Sequence, residues 1–158
     1  MSSRRRARAY ALQALYQADL AQVPVSGALE ALWTSMIEGE GIENSHPPEA
    51  EEVEFARVLA LGVDGARDAI DPLIETCSTN WRISRMPVID RNILRMGAYE
   101  LMTFQDVPAT VIINEAVELA KRYGTAESRA FVNGIVDRMA RQLDRLTREE
   151  HKRTDNGG

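Results

Sequence analysis

The feature that most constrains this chain is an apolar spacing of three and four residues that recurs from Ala11 to Leu146 and is broken at Pro and Gly and over Cys77 to Trp81. Ala11, Leu12, Leu15 and Ala18 form one such stripe. Leu29, Leu32, Trp33, Met36 and Ile37 form a second, and Phe55, Val58, Leu59 and Val63 a third that runs on through Ile70, Leu73 and Ile74. Ile89, Ile93, Met96, Gly97, Leu101 and Phe104 follow, then Ile113, Ala116, Val117 and Ala120, then Val132, Ile135, Val136, Met139, Leu143 and Leu146. Such a stripe seats a helix on a core, whereas a half-buried strand needs strict alternation, which no segment sustains. The spacing therefore predicts an all-α chain of six or seven helices in a compact bundle.

Breakers and caps divide the pattern. The first helix is expected from about Ser3 to Ala21, capped by Ser2 or Ser3 and ended by Pro24; Ser26 is the expected cap of the second. Gly39 and Gly41 stop the second helix, and Gly39 to Pro48 reads as an acidic loop. The third helix starts near Pro48 or Glu49 and continues past Gly62, Gly65 and Pro72, each a possible bend. Pro87 opens a fourth helix and Pro108 a fifth, Gly124 terminates that one, and Ser128 is the expected cap of the last. Two sub-bundles are expected, roughly 1–80 and 81–146, within one domain, followed by a disordered polar tail over 147–158.

Composition removes several function classes. The 158 residues can bury a core without staples. The single cysteine, Cys77, forbids an internal disulfide or a cysteine-built zinc site, and His46 and His151 make a poor metal set, so no metal or cofactor is expected. A lone thiol fits a reducing cytoplasm. No apolar run is long enough for a membrane span, and Gln13, Gln17 and Asp19 spoil the first helix as a signal-peptide core. Glu100, Glu115 and Glu118 lack any nucleophile, phosphate loop or metal ligand beside them, and Cys77 lacks a histidine, so no active site is expected.

Net charge is −5, but it is unevenly spread. Residues 1–10 carry Arg4, Arg5, Arg6 and Arg8 and no acid, while residues 38–54 carry seven acids and no Lys or Arg. On a helix Arg4 and Arg8 share a face, with Arg5 and Arg6 fanning to either side. Planar, permanently charged guanidiniums suit phosphate oxygens. The same run suits a solvated helix terminus, and the residues alone leave both readings open. Tyr10, Gln13, Tyr16 and Gln17 continue along the helix as base-stacking and base-edge candidates. A Tyr16 ring packed on the core, with only its hydroxyl exposed, is the reading that the residues alone favour.

The stretch from Pro87 to Met139 resembles the C-terminal half of the NusB family. Asp90-Arg91 with Ile93-Leu94-Arg95, Tyr99-Glu100-Leu101, Val107-Pro108, Ile113-Asn114-Glu115-Ala116 with Glu118-Leu119-Ala120-Lys121, and Phe131-Val132-Asn133-Gly134-Ile135 carry that resemblance in order. The opening RRRARAYALQALYQ is similar to the family's start. The resemblance covers most of the chain and is weakest over Val23 to Glu52.

The resemblance implies two small helical bundles and a non-enzymatic factor. It implies binding of boxA RNA in ribosomal RNA leader transcripts together with NusE, a small-subunit ribosomal protein, in an RNA polymerase complex with NusA and NusG that suppresses premature termination. Residue by residue, it places Arg4, Arg5, Arg6 and Arg8, with Gln13 and Tyr16, on the RNA, and Glu127 and Phe131 beside the same RNA surface. It places Asp90 toward NusE; Arg91, Arg95 and Tyr99 extend that set by helical spacing. The family often has an acid directly before the Ser of the last cap, here Glu127, and the polar tail has no counterpart. An acidic chain is expected to bind RNA weakly alone and more tightly with NusE.

Two rivals remain. A similar helical domain precedes the catalytic domain of some ribosomal-RNA cytosine methyltransferases, but their cofactor loop and catalytic cysteines are not in this sequence. A helical protein–protein adaptor without an RNA role is the other. An Ala-rich first helix could also pair two copies into a homodimer.

Overall fold

A computed structural model describes residues 2–37, 46–79 and 81–146. Among the described residues seven α-helices follow one another: α1 Ser2–Ala21, α2 Val25–Ile37, α3 Ala50–Gly65, α4 Arg67–Cys77, α5 Val88–Thr103, α6 Ala109–Tyr123 and α7 Ser128–Gln142. A 3-10 turn, Ile83–Arg85, lies between α4 and α5, and no strand occurs among the described residues. The expected loop at Gly39 to Pro48 falls mostly outside the described residues, as does the 147–158 tail.

The chain divides into two compact units after Arg67, whereas the sequence alone predicts a boundary near residue 80. In the first, α1 packs on both α2 and α3, and α2 meets α3. The middle of α1 is covered on every side: Ala7, Ala9, Tyr10, Ala11, Leu12, Ala14 and Leu15 are all buried. Small residues allow that, since Ala lets neighbouring backbones close in on more than one face. The helix stops in a Schellman turn. Gln22 takes a left-handed conformation (φ 57°) and the Val23 N–H returns to the Ala18 carbonyl at 3.1 Å. Pro24 follows, and α2 starts at once at Val25, so Ser26 sits inside the helix and does not cap it.

The third stripe proves to be two helices. The Ala66 N–H still reaches the Gly62 and Val63 carbonyls, but Ala66 itself (φ −106°, ψ 11°) leaves the helical region and a new helix starts at Arg67.

In the second unit α6 packs against α5 and α7, and α5 against α7, over Ile93, Leu94, Met96, Leu101, Ile112, Val132, Val136 and Met139. Two arginines tie α4 into it. Arg95 of α5 makes a two-pronged ion pair with Asp71, Nε to Oδ1 at 3.0 Å and Nη2 to Oδ2 at 3.1 Å. Arg138 of α7 donates to the Cys77 carbonyl at 2.8 Å, satisfying an orphan at the end of α4. Arg145 does the same for α5, donating to the Leu101 and Val107 carbonyls. Cys77 is buried, and burial pushes its thiol pKa up, away from nucleophilic character.

Candidate nucleic-acid interface

The arginine run is split by its own helix. Arg4 and Arg5 are exposed, whereas Arg6 and Arg8 are buried at 8% and 4% exposure. Arg6 points onto α3, where its Nη1 donates to Glu52 Oε1 at 2.9 Å and Oε2 at 3.2 Å. Its Nη2 donates to the Tyr10 hydroxyl, one turn along α1, and to the His46 carbonyl at 2.9 Å. Glu52, only 2% exposed, also accepts from the Glu49 N–H at 2.9 Å and so completes the N-terminus of α3. Arg6 therefore occupies a buried ion-pair network, and the sequence reading of four guanidiniums facing phosphate holds at most for the exposed members.

Arg4 and Arg8, one turn apart, share a face as their spacing requires, and that face meets Phe55. The guanidinium carbons lie 4.8 Å and 5.6 Å from its ring centroid. Arg4 thus has its guanidinium braced over a ring while the residue stays exposed, at the start of a 20-residue helix whose first turn holds no acid. Gln13 and Tyr16 are half-buried, and Gln13 Oε1 is buried with no hydrogen-bond partner among the described residues. Tyr10, the other aromatic of the helix, is fully buried edge-on to Trp33 at 5.7 Å.

In the second unit Glu127 is exposed directly before α7, its Oε2 accepting from the Thr125 hydroxyl at 3.1 Å. Phe131 is half-buried one turn on, edge-on to Trp81 at 5.9 Å.

A model of the NusB family matches residues 5–141. Transcription antitermination protein NusB of Myxococcus xanthus (strain DK1622) is 50% identical over 145 residues, 92% of this chain and 99% of that protein. The chain belongs to the NusB family. T. maritima NusB superposes with a TM-score of 0.74 at 36% identity, over 87% of this chain and 90% of that one. A solved complex of the antitermination factors NusB and NusE with dsRNA shares the fold at a TM-score of 0.75 and 23% identity, covering 90% of this chain and 98% of that one. The NusB family is one of transcription factors and not of enzymes.

Within this NusB fold, the set read as facing NusE divides as the arginines do. Asp90 and Arg95 are each 4% exposed; Arg91 and Tyr99 are half-buried. Asp90 accepts from the Ser128 hydroxyl at 2.7 Å, and burial raises its pKa more than that hydrogen bond lowers it. Ser128 is therefore not the expected cap. It is the first residue of α7, buried, and its hydroxyl joins Asp90 on α5 while accepting from the Thr125 N–H at 2.9 Å. Arg91 leans toward the Ile83 carbonyl at 3.4 Å, and Tyr99 lies edge-on to Phe104 at 5.9 Å.

Sequence reasoning missed Glu52, Phe55, Asp71 and Trp81 as parts of these sites. Only Glu52 left a trace. It is the acid three residues into a helix that starts after Glu49, the reciprocal half of a capping box.

Proposed function

We propose that this chain is an RNA-binding transcription antitermination factor that engages boxA RNA of ribosomal RNA leader transcripts together with NusE. It acts in the cytoplasm within an RNA polymerase complex that includes NusA and NusG. The observation that carries the reading is the pair of exposed guanidiniums, Arg4 and Arg5, in the first turn of α1. The positive dipole end of a 20-residue helix adds to the field that those two side chains set up for phosphate. Phosphate contacts there supply affinity, while Tyr16 and Phe131 offer rings to unpaired bases. Arg8 and Arg6 support the first turn from beneath, Arg8 on Phe55 and Arg6 on Glu52.

Membership of a family of antitermination proteins and a shared fold with a NusB solved alongside NusE and dsRNA support the same reading. Toward NusE, Arg91 and Tyr99 are the members of the α5 set with surface to offer, and Asp90 and Arg95 hold that helix in place. No helix among the described residues is long and apolar enough to cross a membrane.

A titration of boxA oligonucleotide against a scrambled one, with and without NusE, tests the proposal. Tighter binding of boxA, improved by NusE, is expected; equal affinity for both sequences removes the boxA preference, and binding of neither removes the RNA role and favours a protein adaptor. Replacing Arg4 or Arg5 by Ala is expected to weaken binding and to flatten the dependence of log K on log salt by about 0.7 each. An unchanged slope removes that residue from the contact.

A further inference from the structure

Trp81 is 52% exposed, although an indole has more apolar area to bury than any other side chain. It is not a loose residue. Ser78 Oγ donates to the Trp81 carbonyl at 2.8 Å, and Arg138 holds the preceding Cys77 carbonyl at 2.8 Å, so both ends of the short connector after α4 are tied down. The indole meets Phe131 with 5.9 Å between centroids and 68° between planes. The side chains form a stepped ledge, one ring braced by the other, with indole surface left open.

Charge around the ledge is mixed: the exposed Glu75 accepts from the Ile83 N–H at 3.3 Å, and two arginines stand beside the rings. Arg82 follows Trp81 in the chain and is exposed; Arg138, also exposed, lies two turns from Phe131 on the same face of α7. Glu127, one turn before Phe131, is the exposed acid of that face, and the Thr125 hydroxyl donates to it. Asp137 is paired with Arg141 at 2.9 Å. A protein-docking site would need a wider apolar patch. In the second unit the exposed large hydrophobics among the described residues are Trp81 and Val111, which sits on α6.

We propose that Trp81 and Phe131 together stack an unpaired base of single-stranded RNA, with Arg82 and Arg138 placed for the phosphates on either side. The assignment rests on the RNA reading above and adds a second ring, and a connector segment, to the contact.

The test uses the full chain and the boxA oligonucleotide. Trp81→Ala is expected to weaken binding by about 5- to 150-fold, the range for one stacked base, and to leave the salt slope unchanged because no charge is removed. Trp81→Phe, which keeps a ring against Phe131, is expected to recover part of the loss. Indole emission of the native protein should be quenched as RNA binds, and Trp81→Phe should abolish that quench, a readout independent of whether the Ala variant folds. Arg82→Ala should lower the salt slope. A native chain that binds while Trp81→Ala binds equally, with no quench, overturns the ledge and leaves the proposed function standing. A native chain that binds no RNA overturns both. Normal RNA affinity with weakened NusE capture in Trp81→Ala makes the surface a protein contact and likewise overturns the assignment.

Discussion

Glu52→Ala is the most incisive perturbation of the first unit. It deletes the carboxylate that receives Arg6 at 2.9 Å and 3.2 Å and leaves a guanidinium, 8% exposed, without its counter-charge. Removing one partner of a buried ion pair costs about 3–5 kcal/mol, because the other must still be desolvated. The Tyr10 hydroxyl and His46 carbonyl continue to accept from Arg6, which favours the lower end. The Glu49 N–H also loses its acceptor, worth about 1 kcal/mol. The expected total is about 4 kcal/mol, a shift of roughly 8–16 °C in melting temperature for a chain of this size. Urea unfolding followed by indole emission reads it directly, since Trp33 packs edge-on to Tyr10, the residue that Arg6 holds, and should redden as that contact goes. A loss under about 1 kcal/mol, the range of an exposed pair, would refute the burial argument.

The double variant Arg6→Met with Glu52→Leu sharpens the same reasoning. Replacing both charges by apolar groups of similar volume is often close to neutral, so most of the stability lost in Glu52→Ala should return. That protein lacks the Arg6 charge yet keeps its fold, and it separates support from contact. If Arg6 only braces α1, the salt slope of RNA binding matches the native chain. A slope smaller by about 0.7 would mean that Arg6 reaches phosphate and that the buried pair opens on binding.

Two further outcomes follow from the second unit. Asp90 has its pKa raised by burial, so the native state binds that proton more tightly than the unfolded chain does and ionisation above the raised pKa opposes folding. Asp90→Asn keeps an acceptor for Ser128 and removes the ionisation, so its stability relative to the native chain should be most favourable at neutral pH and should decline as pH falls through the raised pKa; urea midpoints that differ by the same amount at every pH would refute it. Gly124→Ala should cost about 1–3 kcal/mol by overpacking, because a Cβ there would lie 2.5 Å from Ser128 Oγ and 2.8 Å from the Ala120 carbonyl; an unchanged midpoint would show that the turn before α7 yields freely.

The helices were legible because apolar spacing is a local property: the stripe of α5 can be read from Ile93, Met96, Gly97 and Leu101 without knowing what covers it. The break at Ala66 was not, since Gly62 and Gly65 permit a bend that they do not dictate. Side-chain destination was harder still. A guanidinium at position 4 and one at position 6 look alike in sequence, and only the arrival of α3 decides that one meets Phe55 and water while the other meets Glu52. One clue lay in α1 itself. Ala7, Ala9, Ala11 and Ala14 surround the fully buried Tyr10, and a helix with small residues on all sides is prepared for neighbours on all sides. A charge placed within such a helix, as Arg6 is, must meet a counter-charge from one of those neighbours, and the nearest supply in this chain is the acidic segment that the charge map had set apart as its opposite pole. The polarity seen in the sequence is thus partly an ion pair waiting to form, and the field left for the proposed RNA contact is what the exposed Arg4 and Arg5 retain after α3 has docked.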